Sequence, residues 1–431
     1  MRIEAIYELY KQFPTITTDS RNCPENSIFF ALKGDNFNGN EFVKSAIEKA
    51  CRYAIVDEEK YADGERIFLV DNCLQTLQQL ATYHRRQLNT PIIGITGSNG
   101  KTTTKELVSA VLSQKYSSTT LGDRLLYTQG NLNNHIGVPL TLLRLRAEHE
   151  LAVVEMGANG LKEIGELCKI AEPDYGIITN IGKAHLEGFG SIEGIIKTKG
   201  ELYDYVRNHN GKIFINIDNP ILNKISEGIE KVTYSLKNPD AFVYAVPTEN
   251  EVFLKVLWEE KNISTNLIGL YNVENILAAI CIGKYFEVEK NKIISAIQNY
   301  EPTNNRSQFA ETERNKLVID AYNANPTSML ASIRNFAEMK SERKALILGD
   351  MLELGAESAK EHQAIVDCLQ ELQLKNVLLV GEEFAKTKSH FQTFLHTDNC
   401  KEYLKQNPFS NYSILIKGSR GMKLETLRVF L

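Results

Sequence analysis

Four residues join what reads as a buried strand, Ile92-Ile93-Gly94-Ile95-Thr96, to what reads as a helix opening at Lys101. A connection this short, with Gly97 and Gly100 in it, confines the chain to a strand, tight turn and helix of an α/β layer. The segment Gly97-Ser98-Asn99-Gly100-Lys101-Thr102-Thr103 then has the make-up of a phosphate-binding turn. Glycines let the amides point inward, the helix N-terminus adds positive potential, Lys101 brings a point charge, and Thr102 brings a hydroxyl suited to Mg²⁺. The strict pattern, with a glycine five residues before Gly100, is not met because Ile95 stands there. A glycine turn with an exposed lysine is the plain alternative.

Around this unit, strand-like and helix-like stretches alternate, which implies a parallel sheet with helical crossovers. Leu151 to Met156 and Tyr175 to Thr179 read as strands, and helices are expected near Lys162 to Ile170 and from Ser191 to Val206. The stretch 230–268 reads as antiparallel strands, followed by helices near 271–286 and 291–300. At 431 residues the chain has room for about three domains. We place them at 1–88, 89–301 and 302–431, the last carrying strands at Leu317 to Asp320, Ala345 to Leu348, Asn376 to Val380 and Ser413 to Ile416.

Composition narrows the function classes. Lys and Arg total 49 against 54 Asp and Glu, and no basic tract suggests nucleic acid. Apolar runs such as Val377-Leu378-Leu379-Val380 are far below the roughly 20 residues a bilayer needs, so no membrane span is expected. The start, Met1-Arg2-Ile3-Glu4-Ala5-Ile6-Tyr7-Glu8, does not read as a signal peptide. Seven cysteines, an odd number without a C-x-x-C pair, suit reduced structural thiols. A cytoplasmic monomer is the expectation.

Strand ends mark the further candidates, because ligands of an open parallel sheet bind beyond its carboxyl ends. Glu155 closes one strand and His185 follows another, so both are placed to reach a metal beside the loop, although a loop histidine held by backbone is the plain reading of His185. On the helix after it, Ile192, Ile195, Ile196, Leu202, Tyr203 and Val206 form an apolar stripe whose missing member is Lys199. A lysine on the inward face is driven toward its neutral, nucleophilic form; a rim lysine that snorkels to solvent is the alternative. The loop Gly130 to Pro139 is crowded with amide side chains, Asn134 among them. Asp320 ends the first strand of the third domain, and Asn325 before Pro326 is either a ligand contact or simply a helix start.

Taken together, these segments resemble the Mur ligase family over nearly the whole chain. The matching pieces include Thr18-Asp19-Ser20-Arg21, Phe29 to Gly34, Thr96 to Thr103, Gly130 to Pro139, Glu155-Met156-Gly157-Ala158, His185 to Ser191, Lys199-Gly200-Glu201, Asp320 to Pro326 and Gly349 to Gly355. Tyr322-Asn323-Ala324-Asn325-Pro326 resembles the dipeptide-adding branch, where relatives adding single amino acids carry a Tyr-Ala-His-Asn-Pro version. The resemblance implies an α/β fold in which a central P-loop-type parallel-sheet ATPase domain is flanked by a small N-terminal α/β domain and a C-terminal Rossmann-like domain.

The implied chemistry is ATP-dependent amide ligation in peptidoglycan synthesis, joining D-alanyl-D-alanine to UDP-N-acetylmuramoyl-tripeptide. Lys101 and Thr102 would hold ATP phosphates and Mg²⁺; Glu155 and His185 would ligate metal; and Lys199 would react with CO₂ to become a carbamate that helps hold a second Mg²⁺. Asn272 would contact adenine, Arg306 the terminal phosphate and Asp320 the ribose. Asp19, Ser20, Arg21 and Lys33 would lie near the uridine diphosphate, Asn134 near substrate in the central cleft, and Tyr322, Asn323 and Asn325 at the substrate side of the third domain. Tyr271 in place of a usual histidine and Asn38-Gly39-Asn40 in place of an Asp-Gly-His-like segment depart from the family pattern. Rival readings are a ligase of the same superfamily adding one amino acid, folylpolyglutamate synthase, and a regulator that binds ATP without making a product.

Overall fold

A computed structural model describes residues 1–118, 122–248, 252–302 and 306–431, and within them the alternation becomes three main sheets. The N-terminal sheet has four parallel strands in the order Ile16–Thr17, Ile28–Phe30, Tyr53–Val56, Ile67–Leu69. Helix Cys73–Arg86 buries Cys73, Leu77, Leu80, Ala81 and His84, a stripe at helical spacing, and Asn72 caps it by accepting from the Gln75 amide at 2.8 Å.

The central sheet has nine strands. Ile92–Thr96 lies between Leu151–Glu155 and Tyr175–Ile178, parallel to both, so Thr96, Glu155 and Ile178 end on one side of the sheet. All five residues of Ile92–Thr96 and of Leu151–Glu155 are buried, as strands covered on both faces must be. Beyond Tyr175–Ile178 come Lys212–Asn216, Glu230–Ser235 and Val243–Pro247, still parallel, and only then the antiparallel Lys255–Trp258 and Lys261–Ser264. The expectation of antiparallel strands across 230–268 therefore holds for the second half alone. The helical turn Pro220–Ile225 carries the chain back over the sheet, which makes Glu230–Ser235 a parallel neighbour of Lys212–Asn216.

The C-terminal sheet runs Gln308–Glu311, Lys316–Asp320, Ser413–Lys417, Lys344–Gly349, Val377–Val380, Gln392–Phe394, parallel except for the first pair. Asp320 and Lys417 end adjacent strands in register with each other.

One apolar core runs from the N-terminal unit (Ile6, Phe29, Leu77) into one face of the central sheet (Val138, Leu142, Leu202). The other face packs Ile93, Val108 and Leu112 against Ile276 and Ile280. The C-terminal sheet has a core on each of its faces. No helix among the described residues is long and apolar enough to cross a membrane, and all seven cysteines are free, six of them buried.

Candidate active site

The turn after Ile92–Thr96 is built as the sequence suggested. Gly97 and Gly100 adopt φ of 147° and 79°, and a Cβ would come within 1.9 Å of Thr179 Oγ1 at the first and 2.6 Å of Asn275 Oδ1 at the second. Only glycine meets both the conformation and the clearance. The neighbouring segment grips the turn: the Asn99 amide donates to Asn180 Oδ1 at 2.9 Å, Thr179 Oγ1 donates to the Asn99 carbonyl at 2.6 Å, and Ser98 Oγ exchanges two hydrogen bonds of 2.9 Å with the Gly182 backbone. Helix Lys101–Tyr116 follows, and its first amides have no intrahelical acceptor. Lys101 lies back over the turn, donating to the carbonyls of Gly97 at 2.6 Å and Ser98 at 3.2 Å. Burial lowers its pKa to about 8, with Glu155 opposing and Arg306 reinforcing that shift.

Glu155 is fully buried at its strand end. One carboxylate oxygen accepts from Thr102 Oγ1 at 3.1 Å and from Asn133 Nδ2 at 2.7 Å, while Oε2 is buried with no hydrogen-bond partner. An orphaned anionic oxygen beside a threonine hydroxyl and a phosphate-type turn suits a hard divalent cation, so the donors fit Mg²⁺. No group of three or more His, Cys, Asp or Glu side chains forms a cation cage among the described residues. Thr102 and nucleotide oxygens would have to complete the shell.

Lys199 is 1% exposed. Its Nζ donates to the Ala158 carbonyl at 3.3 Å and lies 5.0 Å from the Phe189 ring centroid, while Lys197 faces solvent. Burial, reinforced by the charge of Lys101, holds the amine well below its ordinary pKa. The inward reading of this residue is the one the structure bears out. His185 has φ of 52°, and its Nδ1 meets the Glu353 carboxylate. Burial first, then the charges of Lys101 and Lys199, lower its pKa against the pull of Glu353. Lys101, Glu155, His185 and Lys199 thus converge beyond the sheet's carboxyl edge.

The C-terminal unit closes over this edge. Asn325 is the helix start the sequence allowed: it caps helix Pro326–Glu338 in a reciprocal pair with Ser328, and its Nδ2 also donates to Asn99 Oδ1 at 2.7 Å. Arg306 stacks on Tyr322, 3.7 Å from the ring centroid, and Arg420 stands 5.4 Å from the same ring. Asp320 accepts from the Ser307 amide and Ser332 Oγ, each at 3.3 Å, and is ion-paired with the buried Lys417. Asn272 is committed on both sides of its amide, to the Ile268 carbonyl and to Asn275, each at 2.8 Å. Tyr271 shares a 2.8 Å hydrogen bond with Ser307. Asn323 is exposed and caps its own turn through the Ala324 amide at 2.9 Å.

Other expected positions lie apart from this cluster. Asn134 is exposed, its side-chain Oδ1 accepting from the Ile136 and Gly137 amides at 3.1 and 2.9 Å; its neighbour Asn133 is the one that reaches Glu155. Asp19 chelates Arg21 at 2.9 and 3.0 Å, which lowers its pKa to about 2. The Ser20 carbonyl accepts from Lys49 at 2.8 Å, and Lys33 bridges Asp57 at 2.9 Å and Glu58 at 3.2 Å. Asn38 and Asn40 join the last cluster through Glu58 and Asp57. Among the described residues, no hydrogen bond or ion pair of these N-terminal side chains reaches the phosphate turn. Asn133, Glu353 and Lys417 were not singled out from sequence; Lys417, an inward lysine at the end of a buried strand, carried the same signal as Lys199. A cavity of about 450 Å³ lined by Arg85, Asp174, Tyr205 and Lys212 opens at the amino ends of the strands, away from all of this.

A strand, glycine turn and helix that hold a buried carboxylate, with a buried amine nearby, define a nucleotide-dependent enzyme of the P-loop kind. The Mur ligase middle domain model matches residues 95–283, and the model of the Mur ligase glutamate ligase domain matches 305–420. UDP-N-acetylmuramoyl-tripeptide–D-alanyl-D-alanine ligases are similar along their length: that of Bacillus subtilis is 33% identical, covering 96% of this chain and 92% of its own, and that of Escherichia coli is 33% identical over 95% and 92%. A crystal structure of MurF from Acinetobacter baumannii superposes with a TM-score of 0.85 at 30% identity, covering 96% and 92% of the two chains. MurF ligase from Thermotoga maritima in complex with ADP gives 0.83 at 26% identity and 96% of each chain. The chain belongs to the Mur ligase family.

Proposed function

We infer that this chain joins D-alanyl-D-alanine to the carboxyl end of UDP-N-acetylmuramoyl-tripeptide at the expense of ATP, giving the UDP-linked pentapeptide, ADP and phosphate. The observation that carries this reading is the buried Lys199 amine, near enough to Lys101 for their charges to oppose each other, while Lys101 in turn feels the charge of Glu155 with its orphaned oxygen. Mere nucleotide binding needs no such amine. The dipeptide-adding ligases similar over 96% of the chain and the segment Tyr322 to Pro326 support the branch.

A carboxylate has no leaving group, so the tripeptide acid would attack the γ-phosphorus of ATP, forming an acyl phosphate and ADP; the dipeptide amine would then attack the acyl carbon and expel phosphate. The chain must bring anionic groups together and keep water out. The first amides of helix Lys101–Tyr116 and the Lys101 ammonium would cradle the phosphates, with Lys101 turning away from the Gly97 and Ser98 carbonyls. Thr102, Glu155, His185 and a carbamylated Lys199 would hold Mg²⁺, which when bound neutralises charge on the phosphates. As a free amine Lys199 would add CO₂ and release one proton, turning a neutral buried nitrogen into an anionic carbamate. Arg306, held flat on Tyr322, would reach the terminal phosphate.

Domains at 1–88, 89–301 and 302–431 belong to this reading, as do monomeric action in the cytoplasm and a hinge near Tyr300, whose hydroxyl donates to Glu106 at 2.6 Å on the phosphate helix. This hinge would run from Tyr300 to Thr303, the latter lying outside the described residues. The test is phosphate release from ATP, expected only when UDP-muramoyl-tripeptide and D-alanyl-D-alanine are both present. Release with a single amino acid, or without acceptor, overturns the reading; tripeptides ending in lysine or diaminopimelate would fix the acceptor.

A further inference from the structure

His185 stands on a segment of the central unit, yet the group that touches its imidazole comes from the C-terminal unit. Glu353 meets Nδ1, and the contact is reinforced by the Glu187 amide donating to the Glu353 carbonyl at 3.3 Å. A carboxylate only accepts, so the imidazole N–H sits on Nδ1 and the lone pair on Nε2. No protein partner occupies Nε2 among the described residues. The loop that delivers Glu353 is fastened at several points. The Asp350 carboxylate receives the Glu383 and Phe384 amides at 2.9 and 3.0 Å, the Met351 amide donates to His362 Nε2 at 3.0 Å, and the Leu352 amide donates to Ser419 Oγ at 2.9 Å. Both His185 and Glu353 have positive φ, 52° and 63°, as two residues aimed at each other by their loops rather than by regular structure. The Glu353 side chain is itself 56% exposed, so its burial does not explain the contact.

We propose that Glu353 is a positioning residue: it fixes the tautomer and orientation of His185 so that Nε2 faces the cation site, and thereby makes cation binding in the central unit depend on docking of the C-terminal unit. The proposal rests on the reading of His185 as a metal ligand. A carboxylate behind a ligating histidine raises its basicity and holds its ring, and losing such a partner typically weakens metal affinity about 10- to 100-fold. By linkage, the cation strengthens docking by the same factor.

The test uses the full-length protein with a non-hydrolysable ATP analogue and Mn²⁺ as the probe, followed by electron paramagnetic resonance, with nitrogen modulation of the Mn²⁺ signal reporting the imidazole. Wild type should show the modulation and His185→Ala should lose it. Glu353→Ala is expected to bind Mn²⁺ about 10- to 100-fold more weakly with diminished modulation. Glu353→Asp, which keeps the charge but shortens the reach, should behave alike, and Glu353→Gln, whose carbonyl oxygen still accepts from Nδ1, should recover most of the affinity. The Asp and Gln variants carry the test should the alanine variant not fold. Wild-type affinity and modulation in the Ala and Asp variants, with both lost in His185→Ala, would overturn the positioning role alone. Unchanged binding in His185→Ala would overturn the ligand reading and this inference with it.

Discussion

The two joints of this molecule are made of different material. Between the N-terminal and central units the apolar core is continuous, and the polar contacts there flank that shared core: Tyr10 donates to the Leu143 carbonyl at 2.5 Å, His84 Nε2 to the Leu145 carbonyl at 2.9 Å, Arg85 pairs with Asp174 at 3.1 Å and Arg86 with Glu172 at 2.6 Å. Between the central and C-terminal units side-chain polar pairs dominate: Asn99 with Asn325, Lys183 with Glu361 at 2.5 Å, the Lys183 amide with Thr327 at 3.0 Å, His185 with Glu353, and the Leu270 amide with Asn335 at 3.1 Å. Ile268 is the buried central residue that joins the C-terminal core. Apolar contact is lost whenever two surfaces part, whereas polar groups can exchange partners with water, so the first joint is built to stay and the second to separate. The groups assigned to chemistry stand at the second.

Substitutions at the separable joint should therefore change turnover, and those at the fixed joint stability. The largest effect is expected from Lys199→Ala, which should lower acceptor-dependent phosphate release on the order of 10³-fold, as loss of a preorganised electrostatic group does, while leaving the melting curve cooperative. Near-normal release would remove the amine from the mechanism. His84→Ala should destabilise the chain by about 2 kcal/mol through lost buried hydrogen bonds, read by urea unfolding, with kcat retained. A fall in kcat without loss of stability would erase the contrast between the joints. Asn325→Ala should cost about 1 kcal/mol as a lost helix cap and also raise the KM for ATP, whereas Asn99→Ala should raise KM without the cap penalty. Equal stability losses in the two would show the cap to be unimportant.

The smallest effects come from pH. Burial holds His84 below its ordinary pKa of 6.5, so its contribution to stability is complete above 6.5 and is lost as pH falls toward the folded value. Melting temperature should drop over that interval, less so in His84→Ala; identical slopes would clear this residue. Lys101 has the opposite experimental sign. It loses its proton near pH 8 in the free chain, and a bound phosphate raises that pKa, so ATP binding above pH 8 should take up a proton and weaken as pH rises. Calorimetry in buffers of different ionisation enthalpy measures the uptake.

Local pattern carried much of this. A run of apolar residues ending in Gly97, and a helical stripe interrupted at Lys199, are visible because periodicity reports which way a side chain points, and both readings survive in the folded chain. Asn325 shows the limit of the same logic, since a helix start and a ligand-facing amide write the same residue before proline. The parallel pairing of Glu230–Ser235 was missed because direction depends on where a crossover returns the chain. Glu353 and Asn133 were missed because their meaning lies in contacts with His185 and Glu155, distant in the chain, which no periodicity records.

Lys101 bends back to close its own loop on the carbonyls of Gly97 and Ser98. A grip that rests on itself has a home to return to. On the proposed role of Lys101, orthophosphate leaving the pocket would free the side chain to return to those carbonyls, so an arm that grips the triphosphate would also help clear the debris of each cycle.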